Sequence, residues 1–527
     1  MSCAGLQRFA ALVVVAALGG FAAGCRNAPT GTFTIASGSE NRTIEPIVQD
    51  FCRTQQVACK FEYMGSLDIG LAVAENRGSF DAVWPANGIW IDMFDRAKRV
   101  RDLTPIARSP VILGVRRAKA EELGWVGRDV SSSDIVAAVR AKRLTFLASS
   151  ATQSNSGAGA YIAMLSAALG HPDAISQADL ERPDLRDTVR ALLSGISRTA
   201  GSSGWLADLY LKGIEQGAHY DAMWNYEAVL AETNEELRRR GADLLYAIYP
   251  SDGAAFANSP LGFVDRGRGE AERTFFAALQ KHMLSAETQK QLVALHRRPA
   301  IGEATGAKPD PSWNYDPSRL VTLVRMPEPA VVRTALDLYQ EGLRPPSLTV
   351  YCLDFSGSMH GEGEDSLKGA MRFILTRDQS APLLVQHGPH DQIVVIPFDA
   401  VVRRVLRGSG APADQARLLD GVMNEHAANG TDIYACAERG LAEIAGTPNA
   451  RDYLAAIVVM TDGKSDDHAQ RFLSKWRGTN GDIPVFGITF GDADASQLDR
   501  LAEATRARVF DGTKSLSEAF RAVRGYN

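Results

Sequence analysis

An α/β fold with parallel sheets is predicted for most of this 527-residue chain. The first observation is that short apolar runs alternate with helical patterns, as expected for parallel strands joined by crossover helices. The second is that the runs "LAAIVVM" and "DQIVVI" are almost continuously apolar, which is typical of strands covered on both faces. The alternation stops near residue 300 and resumes near residue 346. The sequence therefore predicts two α/β units joined by a linker.

In the first unit, residues 25–300, strands and helices alternate from "TFTIAS" through "TIEPIVQDFCRT", "KFEYM" and "DIGLAVAENR" to "FDAVW". The stretch "SPVILGVRR" reads as a longer strand that leaves this set. A second set begins at "RLTFLAS" and continues with a helix near "GAGAYIAMLSAAL" and with "YDAMWNYEAVLAE". The strands "DLLYAIYP" and "PLGFV" then return, and two helices close the unit.

The linker, residues 301–345, is rich in Pro, Gly and Asp at first and ends in a predicted helix over Pro329–Glu341. Proline at its start and Gly342 after its end are the usual helix boundary signals. The second unit, residues 346–527, begins with the strand "LTVYCLD" and includes "VVRRVLRG" as a further predicted strand.

Length and composition narrow the range of possible functions. A chain of 527 residues is too long for one hydrophobic core, and 45% hydrophobic with 23% charged residues is typical of globular domains. The net charge is −5, and no lysine- and arginine-rich run is present in the sequence. Nucleic acid is therefore not expected as a partner.

The first 24 residues have the pattern of a secretory signal. Arg8 precedes an apolar run from Phe9 to about Phe21, which is short for a membrane-spanning helix, and small residues lead to Cys25. This resembles the bacterial lipoprotein signal, although Ala22 stands where leucine is usual. The resemblance implies lipidation, such as palmitate, at Cys25 and a membrane-anchored protein in the periplasm or on the cell surface. A simple cleaved signal is the alternative.

Six cysteines are present, and none is placed at zinc-finger spacing. Cys52 and Cys59 flank a helix-to-strand connection, so we expect a disulfide between them in an oxidising compartment. Cys352 and Cys436 lie in apolar surroundings, and we expect buried thiols there.

Oxygen-bearing side chains follow the strands of the second unit. The motif "DFSGS" carries Asp354, Ser356 and Ser358, the loop "NGTDIY" carries Thr431, and "MTDGKSDD" carries Asp462. Two carboxylates and three hydroxyls suit Mg²⁺, or Mn²⁺. The alternative is that these residues form turns and helix caps.

The order D-x-S-x-S, G-T-D, T-D-G resembles the von Willebrand factor type A domain and its metal-ion-dependent adhesion site. The resemblance implies a doubly wound, Rossmann-like fold. It also implies that Asp354, Ser356, Ser358, Thr431 and Asp462 hold the ion while an acidic residue of a protein partner completes its coordination.

The first unit resembles the bilobed periplasmic solute-binding proteins in stretches such as "TIASGSEN", "FDAVWPANGIW" and "SSATQSNSGAGAY". The resemblance implies a cleft in which helix starts bind a small solute. The residues carried over by position are Ser37, Ser39, Glu40, Ser66, Asn87, Ser156, Gly157, Tyr226 and Glu227. Glu40 would repel an anion, so a lobe pair that docks a protein is an open alternative.

Catalysis is not expected. The sequence has no G-x-x-x-x-G-K-[ST], G-x-S-x-G or H-E-x-x-H motif. His360, just after the metal motif, is the candidate base of a metal hydrolase, but a solvated loop histidine is the simpler interpretation. The predicted function is binding, and the alternative is a substrate-binding receptor of an ABC-type transport system with an accessory type A domain.

Overall fold

The computed structural model describes residues 31–302, 306–479, 482–491, 495–513 and 515–526. It confirms the predicted α/β class, with two lobes in the first unit and a mainly parallel sheet in the second. The predicted signal segment and Cys25 lie outside the described residues. Within those residues, no helix combines the length and the apolar character needed to cross a membrane.

The first unit is built from twelve strands and eleven helices in the described part of the chain. The strands are β1 (Thr32–Gly38), β2 (Ala58–Met64), β3 (Ala82–Trp84), β4 (Val100–Pro105), β5 (Ala107–Arg116), β6 (Phe146–Ser149), β7 (Ile196–Ala200), β8 (Ala222–Tyr226), β9 (Leu245–Ile248), β10 (Phe256–Ala257), β11 (Pro260–Val264) and β12 (Arg298–Pro299). The helices are α1 (Glu45–Thr54), α2 (Ser66–Ala74), α3 (Ile89–Phe94), α4 (Arg117–Glu122), α5 (Ser132–Arg140), α6 (Asn155–Ala168), α7 (Pro183–Leu193), α8 (Ser203–Glu215), α9 (Glu227–Arg239), α10 (Glu270–Met283) and α11 (Ala286–Ala294).

These elements form two lobes. The sheet of lobe 1 has the order β2-β1-β3-β11-β4, and the sheet of lobe 2 has the order β10-β5-β8-β6-β7, with β9 and β12 also paired to β5. The chain crosses from lobe 1 to lobe 2 between β4 and β5 and returns between β10 and β11. Both crossings therefore lie at the same end of their sheets, and this end is the hinge.

The linker helix α12 (Pro329–Leu338) joins the lobes to the second unit, and one π-helical turn, Tyr339–Leu343, follows it. The strands of that unit are β13 (Ser347–Asp354), β14 (Gln392–Phe398), β15 (Leu406–Ser409), β16 (Leu454–Thr461), β17 (Val485–Thr489) and β18 (Val509–Asp511). Its helices are α13 (Glu362–Leu375), α14 (Arg377–Ser380), α15 (Pro412–Met423), α16 (Ile433–Gly446), α17 (Ala469–Arg477), α18 (Ser496–Ala504) and α19 (Leu516–Arg524).

The sheet of the second unit has the order β15-β14-β13-β16-β17-β18. Strand β13 is buried along its whole length between β14 and β16, which explains why its residues are apolar on both faces. The predicted strand "VVRRVLRG" is shorter than expected, because only β15 forms, and it pairs antiparallel to β14.

Lobe 2 and the second unit share one hydrophobic core. Buried residues from β7, α12, β13 and α19 belong to the same cluster, among them Ala200, Leu336, Tyr351 and Phe520. The second unit is therefore packed onto lobe 2. The predicted domain limits at residues 300 and 346 stay predictions.

Candidate metal centre and interlobe cleft

The candidate metal centre starts at the carboxyl end of the central strand. Asp354 ends β13 and is fully buried. One of its carboxylate oxygens accepts a hydrogen bond from the backbone N–H of Ser356 at 2.8 Å, and the other accepts one from the Thr461 hydroxyl at 2.6 Å. Thr461 ends the neighbouring strand β16, and its role was missed in the sequence because the T-D-G motif draws attention to the aspartate alone.

The other predicted ligands converge on the same place. The Ser356 and Ser358 hydroxyl oxygens are 3.1 Å apart, and the Ser358 hydroxyl donates to Asp462 Oδ1 at 2.7 Å. A Cβ placed on Gly463 would lie 3.2 Å from Thr431 Oγ1 and 3.5 Å from Ser358 Oγ. Both hydroxyls therefore face one small volume beside Gly463, and the five predicted residues lie together.

Burial leaves the negative charge of the Asp354 carboxylate without solvent to stabilise it. Burial, with a smaller contribution from nearby Asp462, raises the pKa of Asp354 to about 6, although hydrogen bonds from Thr461 and Ser356 oppose the shift. A cation bound between the two carboxylates would remove this penalty. Within the described residues, no group of three or more His, Cys, Asp or Glu side chains is placed to hold a metal. Two carboxylates with three hydroxyls fit a hard ion such as Mg²⁺ rather than zinc.

The loop that carries Thr431 is held by backbone and side-chain contacts. The N–H of Gly357 donates to the carbonyl of Asn429 at 2.8 Å, and the Asn429 amide donates to Asp399 at 2.7 Å. Asp432 caps α16 by accepting from the N–H of Ala435. Near these residues, Asp466 and His360 are exposed, and Asp467 pairs with Arg500.

Cysteine pairing differs in part from the sequence expectation. Cys52 and Cys59 form a disulfide in lobe 1. Cys352 and Cys436, which we expected to be free thiols, also form a disulfide. The correction follows from packing: β13 and α16 face each other in one hydrophobic cluster and bring the two cysteines together across 84 residues of sequence. This bond ties the strand that ends at Asp354 to the helix that follows Thr431.

In the interlobe cleft, the first loop of lobe 1 contacts lobe 2 directly. The Ser39 hydroxyl donates to Ser202 Oγ at 2.7 Å and accepts from the N–H of Gly204 at 2.9 Å. Glu40 Oε2 accepts from the Ser203 hydroxyl at 3.0 Å. The residues of α8 that make these contacts were missed, although "GSSGW" has the same Ser/Gly-rich helix start as "SNSGAG". The two lobes are therefore closed on each other.

Several predicted cleft residues have structural roles within one lobe. Ser37 accepts from the Asn41 amide, and Ser66 accepts from the N–H of Ala86. Ser156 hydrogen-bonds to the Ser149 hydroxyl at 2.6 Å. A Cβ on Gly157 would lie 2.1 Å from the Ser149 carbonyl oxygen, so glycine allows α6 to start against β6.

Two further predicted residues do not face the cleft. Glu227 is fully buried and forms a two-pronged ion pair with Arg298, with both distances 2.8 Å, while the Tyr249 hydroxyl donates to it at 2.6 Å. The Asn87 side chain accepts from the N–H of Ile89 at 3.0 Å and lines a separate cavity of about 540 Å³ between lobe 1, the hinge and the linker. Both side chains therefore have partners outside the small cavity that remains of the cleft, and their assignment as ligand-binding residues stays a prediction.

What remains of the cleft is a cavity of about 20 Å³, whose lining includes Glu40, Tyr226 and Arg297. Such a cavity has room for about one water molecule. The Tyr226 hydroxyl accepts from the Asn155 amide at 3.0 Å. Glu40 Oε1 is buried and has no hydrogen-bond partner among the described residues, and burial raises the pKa of this carboxyl. In this closed form the cleft contains one poorly compensated carboxylate.

Comparisons with known proteins place both units. The model of the bacterial extracellular solute-binding protein family matches residues 33–294, and the model of the von Willebrand factor type A domain matches residues 349–508. The chain joins a solute-binding domain to a type A domain. A search of curated proteins gave no match.

Solved structures similar to the solute-binding domain include two binding proteins. The sulfate-binding protein SubI from Mycobacterium tuberculosis H37Rv is 16% identical, with 58% of this chain and 98% of that chain covered and a TM-score of 0.42. The periplasmic binding protein AfuA from Actinobacillus pleuropneumoniae is 12% identical, with coverages of 59% and 98% and a TM-score of 0.44.

A solved structure similar to the type A domain is described as von Willebrand factor type A from Catenulispora acidiphila. It is 17% identical, with 34% of this chain covered and a TM-score of 0.28. The match spans 42% of that chain, which is less than half of its length.

Proposed function

We propose that this chain is an extracytoplasmic, membrane-anchored binding protein without catalytic activity. Its type A domain holds Mg²⁺, or Mn²⁺, and binds an acidic residue of a protein partner through that ion. Its solute-binding domain takes a small polar solute between the two lobes.

The observation that carries the first part is the convergence of five oxygen-bearing side chains at one sheet edge. The Thr431 and Ser358 hydroxyls lie beside Gly463, and Ser358 also contacts Ser356 and Asp462. Asp354 is buried with a raised pKa. The ion would be held by Asp354, Ser356, Ser358, Thr431 and Asp462. A carboxylate from a partner suits the open side of such a site, because Mg²⁺ prefers oxygen ligands in six-fold coordination.

An extracytoplasmic location is supported by the disulfides as well as by the secretory pattern of the first 24 residues. Two disulfides in one chain are typical of an oxidising compartment. Lipidation at Cys25, outside the described residues, would anchor the protein to the membrane. Glu40 in the cleft favours a neutral or cationic solute over an anion, because a buried carboxylate repels negative charge.

A receptor role in an ABC-type transport system is the second candidate function. The observation that favours it is the bilobed fold with two hinge crossings, which permits a cleft to open and close around a solute. In that case the type A domain would be an accessory, and binding of the solute would not depend on Mg²⁺.

Calorimetry tests the metal site. Mg²⁺ and then Mn²⁺ are titrated into the wild type, Asp354→Asn and Asp466→Asn. We expect binding by the wild type, loss of binding in Asp354→Asn, and unchanged binding in Asp466→Asn, because Asp466 is an exposed carboxylate of the same loop. Binding that survives Asp354→Asn would contradict the proposed site.

A further inference from the structure

The last helix of the type A domain, α19, contacts the solute-binding domain at the end of the cleft opposite the hinge. In the sheet orders of the two lobes, β4 and β11 lie at one end of lobe 1, and β5 and β10 lie at one end of lobe 2. These are the strands that carry the two hinge crossings. Strands β2 and β7 lie at the opposite ends. The residues that α19 contacts follow β2 and β6, and Tyr526, just after α19, contacts Trp205, which follows β7.

The type A domain is fixed to lobe 2 at this end. The Gln153 amide donates to the backbone carbonyl of Arg521. The Tyr526 ring stacks on Trp205 with 6.2 Å between ring centroids, and the Arg508 guanidinium lies 3.8 Å from the centre of the Trp205 ring. Arg198 of β7 also pairs with Asp482 of the type A domain.

The same helix reaches lobe 1 through two ion pairs. Arg521 lies 2.8 Å from Asp68 at the start of α2, and Glu518 lies 2.8 Å from Arg77 just beyond the end of α2. Glu518 and Arg521 are three residues apart, so both project from one face of α19. The side chains of Arg521 and Asp68 are only 7% and 15% exposed, so their attraction is weakly screened by solvent.

The energy of the first pair depends on closure. Burial raises the pKa of the Asp68 carboxyl, and Arg521 opposes that shift. A buried carboxylate without its cation is costly, whereas the same carboxylate is hydrated when the lobes separate. The Arg521 guanidinium therefore offsets the free-energy cost of burying the Asp68 carboxylate in the closed arrangement.

We propose that α19 is a latch that holds the two lobes closed at the mouth of the cleft. The helix is anchored on lobe 2 and grips lobe 1 through Arg521 and Glu518. Opening about the hinge requires both ion pairs to break, in addition to the direct contacts between Ser39 and α8. The latch rests on the proposed function in one respect, since it regulates entry of the proposed solute into the cleft.

The test is a distance measurement between the lobes of the full chain, without solute or metal. Spin labels are attached at Arg96→Cys in lobe 1 and Asp173→Cys in lobe 2, both exposed positions. Pulsed electron–electron double resonance then compares the distance between the labels in the otherwise wild-type chain and in the latch variant, which carries Arg521→Met and Glu518→Gln. We expect one distance in the former and an added, longer distance in the latter.

The matched control is Arg500→Met with Asp467→Asn, which removes an exposed ion pair of 2.9 Å within the type A domain. This control should keep the single distance. An unchanged distance distribution in a folded latch variant overturns the proposal. If the latch variant does not fold, Asp68→Asn with Arg77→Met tests the same contacts from lobe 1, and the same two outcomes decide. Loss of Mg²⁺ binding or of solute binding would leave this result intact, so the two proposals fail separately.

Discussion

The two candidate sites each contain a buried carboxylate with a raised pKa, but they differ in what surrounds it. At the metal centre, Asp354 has a second carboxylate, Asp462, and three hydroxyls beside it. In the cleft, Glu40 has the Ser203 hydroxyl on one oxygen and no hydrogen-bond partner among the described residues on the other. The first is the set of ligands that the proposed cation would use. The second is a carboxylate enclosed by lobe closure.

The origin of the difference is the way each site is assembled. The residues of the candidate metal centre lie on loops at one edge of a single sheet. The disulfide between Cys352 and Cys436 links β13 to α16, the two elements next to these loops. The cleft exists only where two lobes meet, and its contacts change when they separate. The candidate metal centre is therefore preformed within one domain, whereas the cleft depends on conformation.

The largest effect expected concerns the two disulfides. Replacing Cys352 and Cys436 with Ala should lower the free energy of unfolding by about 4 to 5 kcal/mol, because the bond closes a long loop, of 84 residues. The same change at Cys52 and Cys59 should cost about 2 kcal/mol, because that loop spans 7 residues. Urea unfolding of both double variants measures the difference, and equal losses would contradict the loop-length argument.

The positions of the candidate metal ligands follow from the sequence more directly than the contacts of the cleft do, because they depend on local patterns. Asp354 and Asp462 each end a strongly apolar strand, so their position at the sheet edge follows from the strand itself. Ser39 meets Ser202 across 163 residues of sequence, and no local pattern contains that contact. The same holds for Glu227, whose partner Arg298 lies 71 residues away.

The contacts between the two domains are likewise not contained in any local sequence pattern. The sequence predicts the linker helix Pro329–Glu341, and α12 forms there over Pro329–Leu338. The structure adds α19, whose strong amphipathic pattern predicts a buried face without naming what covers it. The identity of the covering surface depends on how two separately predicted domains pack together.

A second prediction sharpens the view of the metal centre as preformed. Thr461→Val removes the hydroxyl that orients Asp354 and keeps the side-chain volume. Loss of such a supporting hydrogen bond should weaken Mg²⁺ binding by about 10- to 100-fold. Calorimetry measures the effect, and Thr461→Ser should restore binding because it keeps the donor. Equal affinities for the wild type and Thr461→Val would show that Asp354 does not need this partner.

A third prediction uses a buried group far from both sites. Burial, with Arg524 nearby, lowers the pKa of His387 to about 4, while the ordinary value is 6.5. The unfolded chain therefore binds a proton between these two values and the folded protein does not, so stability is lost as the pH falls through this window. The contribution lost between pH 7 and pH 5 should be about 2 kcal/mol.

The measurement is urea unfolding of the wild type and His387→Gln at both pH values. Because glutamine does not titrate, the loss of stability on going to pH 5 should be about 2 kcal/mol smaller in the variant. Taking the difference between the two proteins removes the contributions of the titrating groups that do not interact with His387. An identical loss in both proteins would mean that His387 is already charged in the fold.

The smallest effect is expected at Glu40, and it tests the cleft half of the comparison directly. Since burial raises the pKa of this carboxyl, the folded protein binds its proton more tightly than the unfolded chain does. The charged form therefore destabilises the closed fold at pH 7, and the charge penalty fades as the pH falls toward the raised pKa. Glu40→Gln should raise the melting temperature slightly at pH 7, and the gap to the wild type should shrink at pH 5.

Glu232→Gln is the matched control, because this carboxylate accepts hydrogen bonds from Arg297 at 2.6 Å and from Thr43 at 2.7 Å. Weakening a satisfied ion pair should lower the melting temperature at pH 7, the opposite of the effect at Glu40. If Glu40→Gln also lowered it, Glu40 would be a stabilising group of the closed cleft. The proposed difference between Asp354, which would bind a cation, and Glu40, which is buried only because the lobes close, would then be wrong.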